Sequence, residues 1–154
     1  MAFKRELYPK TWPQIRQRIL ERAKNRCERC GVRNYSVGWR DAAGRFHITG
    51  GNEWHDKAAM GELPYAEALS GVKHLNECCD GLGPNGERGI VIVLTVAHLN
   101  HRPMDCRDSN LRALCQYDHL RHDVEMHQRV ARRNREKRLA AIQPRLPLQV
   151  KEQS

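Results

Sequence analysis

Ile90-Val91-Ile92-Val93-Leu94-Thr95-Val96-Ala97-His98, continued through Asn110-Leu111-Arg112-Ala113-Leu114-Cys115-Gln116-Tyr117-Asp118-His119, is the stretch that decides the fold. Ile90 to Val96 is β-branched and nearly uninterrupted, the pattern of a strand covered on both faces. It delivers His98 at its end. Asp105 to Asn110 form a polar loop, Leu111 to Leu114 a short second strand, and a helix beginning near Tyr117 continues to about Leu139. The order is strand, loop, strand, helix. Leu120, Val124 and the Val130-Ala131 pair give the helix a partial apolar stripe. From Arg129 onward it is mostly arginine and lysine, and Pro144 and Pro147 mark an irregular tail.

Upstream, Thr11-Trp12-Pro13-Gln14 fits a helix start, with Thr11 as N-cap and Gln14 placed for a capping box. The helix runs to about Lys24. Trp12, Ile15, Ile19 and Ala23 make its apolar face, and Arg16, Arg18, Arg22 and Lys24 lie on the others. Cys27-Glu28-Arg29-Cys30-Gly31 then reads as a knuckle, two thiolates wrapping one metal and the glycine permitting a tight turn. A redox pair is expected after a strand and at a helix start, and this pair follows a helix. Residues 34–89 are less informative. A short hairpin spans Val37 to Ile48 and turns near Ala43-Gly44, Glu62 to Leu69 suggest a helical turn or two, and Gly81 to Gly86 are a turn cluster. His47, His55, His74, Cys78 and Cys79 show no ligand spacing and read as structural or surface residues, as do His122 and His127.

At 154 residues the chain suits one compact domain with appendages. The formal net charge of +9 is unevenly spread. Residues 1–33 carry ten Lys/Arg against three acids and residues 129–154 eight against two, whereas residues 34–128 hold nine basic and thirteen acidic side chains. Basic arms around a mildly acidic middle suit phosphate backbones outside and a metal within; the plain alternative is solvated basic helices. No membrane-length apolar run and no leader-like segment are visible, so a cytoplasmic protein is expected, with its six cysteines serving as metal ligands or core thiols rather than as disulfides.

Asn110-Leu111-Arg112-Ala113-Leu114-Cys115 followed by His119, downstream of a Val-x-His strand and a Cys-x-x-Cys pair, resembles the HNH endonuclease family. The likeness covers roughly residues 10–33 and 90–128 and leaves 34–89 as a variable insertion. It implies an α+β fold: a small ββα-metal domain over residues 1–154 with an N-terminal helix, a zinc knuckle, and a basic helix and irregular tail at 129–154. It further implies a metal-dependent DNA endonuclease, associated with phages or mobile elements. In it His98 is the general base, Asn110 holds the loop that orients the base, and His119 binds a catalytic divalent ion (Mg, Mn, Ni or Zn). An imidazole suits deprotonation of water near neutral pH, and a cation stabilises charge on the phosphate. Asp123, four residues after His119, shares its helical face and is the second expected ligand. Arg16, Arg22, Arg129, Arg132, Arg133 and Arg135 are the expected DNA contacts.

Two departures from the family pattern matter. Many members carry an acid or histidine just before the base, where this chain has Ala97; the ion then rests on His119, Asp123, phosphate and water, or on Asn100 or His101. Loss of cutting altogether would leave a zinc-stabilised nucleic-acid-binding module. Members with a structural zinc usually show two Cys-x-x-Cys pairs, and here the second is Cys115-x-x-Asp118. Zinc accepts carboxylate oxygen, so Cys27, Cys30, Cys115 and Asp118 form one possible site. Cys106 is a rival fourth ligand, and loss of zinc with the thiols simply buried is a third option.

Overall fold

The computed structural model describes residues 5–142, except 51 and 80 and the side chains of Arg5, Glu125 and Ile142. The tail expected around Pro144 and Pro147 lies outside them. Two compact units divide the chain, Met1–Leu120 and Arg121–Ser154.

In the first unit the apolar run does not form one strand. It forms β3 (Ile90–Val91) and β4 (Leu94–His98), because the chain changes partner between them. β3 pairs antiparallel with β1 (Val37–Arg40). The Ile92 amide still donates to Ser36 (2.9 Å), and its carbonyl accepts from Tyr35 (2.8 Å). The buried Asn34 side chain then accepts the Leu94 amide at 2.9 Å. From there the backbone pairs antiparallel with β5 (Leu111–Cys115), in register from Leu94↔Cys115 to His98↔Leu111. The result is a mixed α+β fold with two small sheets, β2-β1-β3 and β4-β5, where β2 is Phe46–Ile48.

Each sheet has its own core. α1 (Trp12–Arg22) lays Ile19 and Leu20 against Ile92, Leu94, Val96, Ala97, Leu111, Ala113 and Leu114, with Trp12, Ile15 and Ala23 at the margin. The expected capping box is not made. Thr11 has φ −81° and ψ 6°, outside the extended geometry that aims a hydroxyl at the first turn, and the Trp12 amide donates to Pro9 instead. The β1–β2 hairpin turns through Gly44 at φ 80°, a conformation that favours glycine.

Residues beyond the hairpin form α2 (Glu53–Ala59) and α3 (Tyr65–Cys78), more helix than the turn or two expected over Glu62 to Leu69. α2 is inconspicuous in the sequence because its buried residues are only Ala58 and Ala59, too small to write an apolar stripe. With Leu63, Ala68, Val72, Val37 and Val91 they build the second core, and Gly71 lets the Trp54 ring lie against α3.

α4 spans Gln116–Ile142, slightly longer than expected at both ends. Its residues from 121 onward are the described part of the second unit, where an Arg132–Glu136 pair at 3.0 Å bridges successive turns and Leu139 is exposed. No helix among the described residues is long and apolar enough to cross a membrane.

Asn34 anchors the switch between the sheets. Asn34→Ala strands the Leu94 amide in the core and should cost about 1–3 kcal/mol in urea unfolding.

Candidate functional site

The cysteine pair is presented by a reversal after α1. Lys24 and Asn25 both have φ near 52°, and the chain folds back so that the Cys27 amide donates to Val32 (2.8 Å) and the Gly31 amide, at φ 75°, to Cys27 (2.9 Å). Glu28 fastens this turn to β5: its amide donates to the Ala113 carbonyl (2.9 Å), and its carboxylate accepts the Ala113 amide (2.7 Å). Cys27 and Cys30 thereby reach Cys115 at the end of β5 and Asp118 in the first turn of α4.

One ligand atom from each of Cys27, Cys30, Cys115 and Asp118 lies within 4.8 Å of the others, close enough to hold a metal ion. The Asp118 carboxylate is 3.2 Å from the Cys27 sulfur and 3.4 Å from that of Cys115, and Cys30 and Cys115 are 3.8 Å apart. A tetrahedral zinc with Zn–S of about 2.3 Å and Zn–O of about 2.0 Å has S···S edges near 3.8 Å and S···O edges near 3.5 Å, so these donors fit that ion in chemistry and in spacing.

Hydrogen bonds from Cys115 and Cys30 hold Cys27 far below the usual thiol range, and the same kind of bonding drives Cys30 and Cys115 upward. Asp118 is only 4% exposed, a costly place for a carboxylate, and its nearest cation is the Arg29 guanidinium at 3.6 Å. Cys106, the rival fourth ligand, belongs elsewhere: its sulfur is 3.8 Å from His98 Nε2 and donates to the Pro103 carbonyl at 3.4 Å.

His98 closes β4 at the far end of the strand pair. It is buried under an aromatic cover, Trp12 stacked at 5.1 Å and Tyr8 edge-on at 5.8 Å. Burial pushes its pKa below the ordinary 6.5; Asp105 and a hydrogen bond with Pro103 pull upward, while His119 adds a smaller downward push. The ring is therefore neutral at neutral pH. Asn110 organises the loop beside it. Its amide nitrogen donates to Asn100 Oδ1 (3.0 Å) and the Asp105 carbonyl (2.8 Å), its Oδ1 accepts from the Asn100 amide (3.1 Å), and its backbone carbonyl accepts from Leu99 (2.9 Å). Asp105 is held ionised, well below the carboxylate range, by the Arg107 fork and Asn100.

His119 lies on α4 with Nδ1 2.6 Å from the Thr95 hydroxyl, which also contacts the Leu114 carbonyl at 3.3 Å. Alternation along β4 puts Thr95 on the same strand face as Ala97, which is 1% exposed. Asp123 belongs to the second unit, as do Arg129, Arg132, Arg133 and Arg135.

The two α1 arginines expected at DNA are occupied by the fold. Arg16 donates to the Leu94 carbonyl (3.1 Å); Arg22 donates to the Asp108 and Leu111 carbonyls (2.9 and 2.8 Å) and pairs with Glu28 at 3.0 Å. His47 stacks on Trp39 and bonds Asp41 at 3.0 Å.

Neither Thr95 nor Trp12 stands out in the sequence as a site residue: Thr95 is the one hydroxyl in the Ile90–Val96 run, which is a signal of sorts, and Trp12 reads as part of the apolar face of α1. Comparison with family models, with curated proteins and with solved structures finds no match for this chain.

The aromatic cover gives a direct expectation. Trp12→Ala admits water to His98, so its pKa should rise toward 6.5 in a histidine proton titration followed by NMR.

Proposed function

We propose that this protein is a metal-dependent DNA endonuclease of HNH type, with β4, β5 and the start of α4 as its ββα nuclease element. What supports this reading is a buried His98 at a strand end, an Asn110 amide tying the adjacent loop, and a His119 on α4 whose Nδ1 meets the Thr95 hydroxyl. His98, neutral because it is desolvated, takes the proton of the attacking water. Asn110 keeps the loop closed around it, so the imidazole meets the water in one orientation. With the Thr95 proton on the Leu114 carbonyl, Nδ1–H of His119 donates to Thr95, which fixes the ring's tautomer and orientation, and Nε2 would be the nitrogen that ligates the ion. A divalent cation there supplies charge stabilisation at the phosphate and leaving oxygen, worth several kcal/mol, beside roughly 10²–10⁴-fold from base catalysis. Cys27, Cys30, Cys115 and Asp118 hold a structural zinc. Arg129, Arg132, Arg133 and Arg135 neutralise phosphates, giving largely non-sequence-specific, salt-sensitive affinity in the cytoplasm. Arg16 and Arg22 serve the scaffold instead.

The second reading, a zinc-stabilised module that binds nucleic acid without cutting, draws on buried Ala97, where a methyl group stands in the place of a ligand. Plasmid cleavage with Mg²⁺, Mn²⁺ or Ni²⁺ separates the two: tight binding with no nicking under any of them selects the module.

In the nuclease, His98→Ala should abolish nicking and leave metal content and DNA affinity near wild type. Asn110→Ala should retain a residue of activity, since a shift of about 1 Å in a catalytic group costs on the order of 10²-fold. Because the base acts in its neutral form and its pKa is depressed, the acid limb of the pH–rate profile should fall below 6.5. A limb well above that value would remove His98 from the role.

A further inference from the structure

We infer that Arg40, on the inserted β1–β2 hairpin, is the cation that completes the cysteine–aspartate centre and ties the insertion to it. This rests on the metal reading of the cluster. Three thiolates and a carboxylate around a divalent ion leave two negative charges in excess, in a site where Cys27, Cys115 and Asp118 are all buried. Two guanidinium groups supply the balance. Arg29 approaches Asp118 Oδ1 at 3.6 Å, and Arg40 Nη2 donates to the Cys115 sulfur at 3.4 Å.

Arg40 is the better held of the two. Its Nη1 donates to the Gly44 carbonyl at 2.8 Å, and its guanidinium lies over the Tyr117 ring at 4.6 Å and the Phe46 ring at 5.5 Å. The hairpin turn is seated on that same Tyr117. Its hydroxyl contacts the Ala43 carbonyl at 3.5 Å, and a Cβ added at Gly44 would run into the ring. Tyr117 stands between the two ligands Cys115 and Asp118, so hairpin, guanidinium and metal site share one packing unit. An N–H···S bond also lowers the donor strength of the thiolate, which tunes the ion as well as balancing its charge.

The test uses full-length protein loaded with Co²⁺, comparing wild type with R40M, R40K and R29M. Uptake by wild type is measured first; no uptake means that the metal reading has failed, and this inference with it. Given uptake, R40M should weaken metal affinity by about 10- to 100-fold in a chelator competition. It should also move the sulfur-to-cobalt charge-transfer band to longer wavelength, because the Cys115 thiolate loses its donor. R40K restores charge without the planar fork and should fall between. R29M, which addresses the carboxylate, should weaken binding without moving the sulfur band. A purely structural Arg40 would lower stability and leave the band in place. Wild-type affinity and band position in R40M would overturn the inference; if R40M does not fold, the same result in R40K does so.

Discussion

The buried contact among Cys27, Cys115 and Asp118 is the constraint on which the first unit depends. It joins three pieces that sequence separates: the turn after α1, the end of β5 and the first turn of α4. A carboxylate at 4% exposure with two thiols against it is not a stable apolar core by itself. Its nearest guanidinium, on Arg29, is at 3.6 Å and itself half in solvent, so screening leaves that pair little to offset burial. Cys27, Cys30, Cys115 and Asp118 lie close enough to hold a metal ion, and a divalent cation there would resolve the conflict by turning the charges that oppose burial into ligands.

The β4–β5 ladder sets the distance between this centre and the proposed chemistry. Cys115 pairs with Leu94 at one end and Leu111 with His98 at the other. Four residues of antiparallel strand span about 14 Å, too far for an ion held by the sulfurs to touch water beside His98. The cluster therefore acts as a clasp that fixes β5 and α4, which positions the loop tied by Asn110 and the ring tied by Thr95. His98 is tuned separately, by Trp12 from α1. α1 thus serves both ends, Trp12 over the histidine with Arg22 on Leu111 and Asp108 at one, Arg16 on the Leu94 carbonyl at the other, which explains why its arginines are drawn into the scaffold.

Much of this was legible in the residues. Cys-x-x-Cys spacing, the Asn110 to Cys115 stretch and the apolar face of α1 each announce themselves through local periodicity or ligand chemistry. Asp118 rather than Cys106 beside the thiols was one of the options open on spacing alone, and only tertiary structure separates them, since Cys106 is carried off by the loop to His98. The break between β3 and β4 was not legible, because Ile90 to Val96 is uniformly apolar and a change of partner leaves no mark in such a run. The deciding group, Asn34, sits sixty residues earlier. Arg40 was equally hidden: nothing local tells an arginine bonded to sulfur from one on a surface hairpin.

Native mass spectrometry of the folded chain, paired with thermal unfolding before and after chelation, tests the central claim most directly. The account predicts about one zinc ion per chain, retained by wild type and lost in Cys27→Ser, with cooperative unfolding moving to lower temperature when the ion is removed. A metal-free mass for protein purified without chelator, together with the same unfolding temperature in its presence, would contradict it.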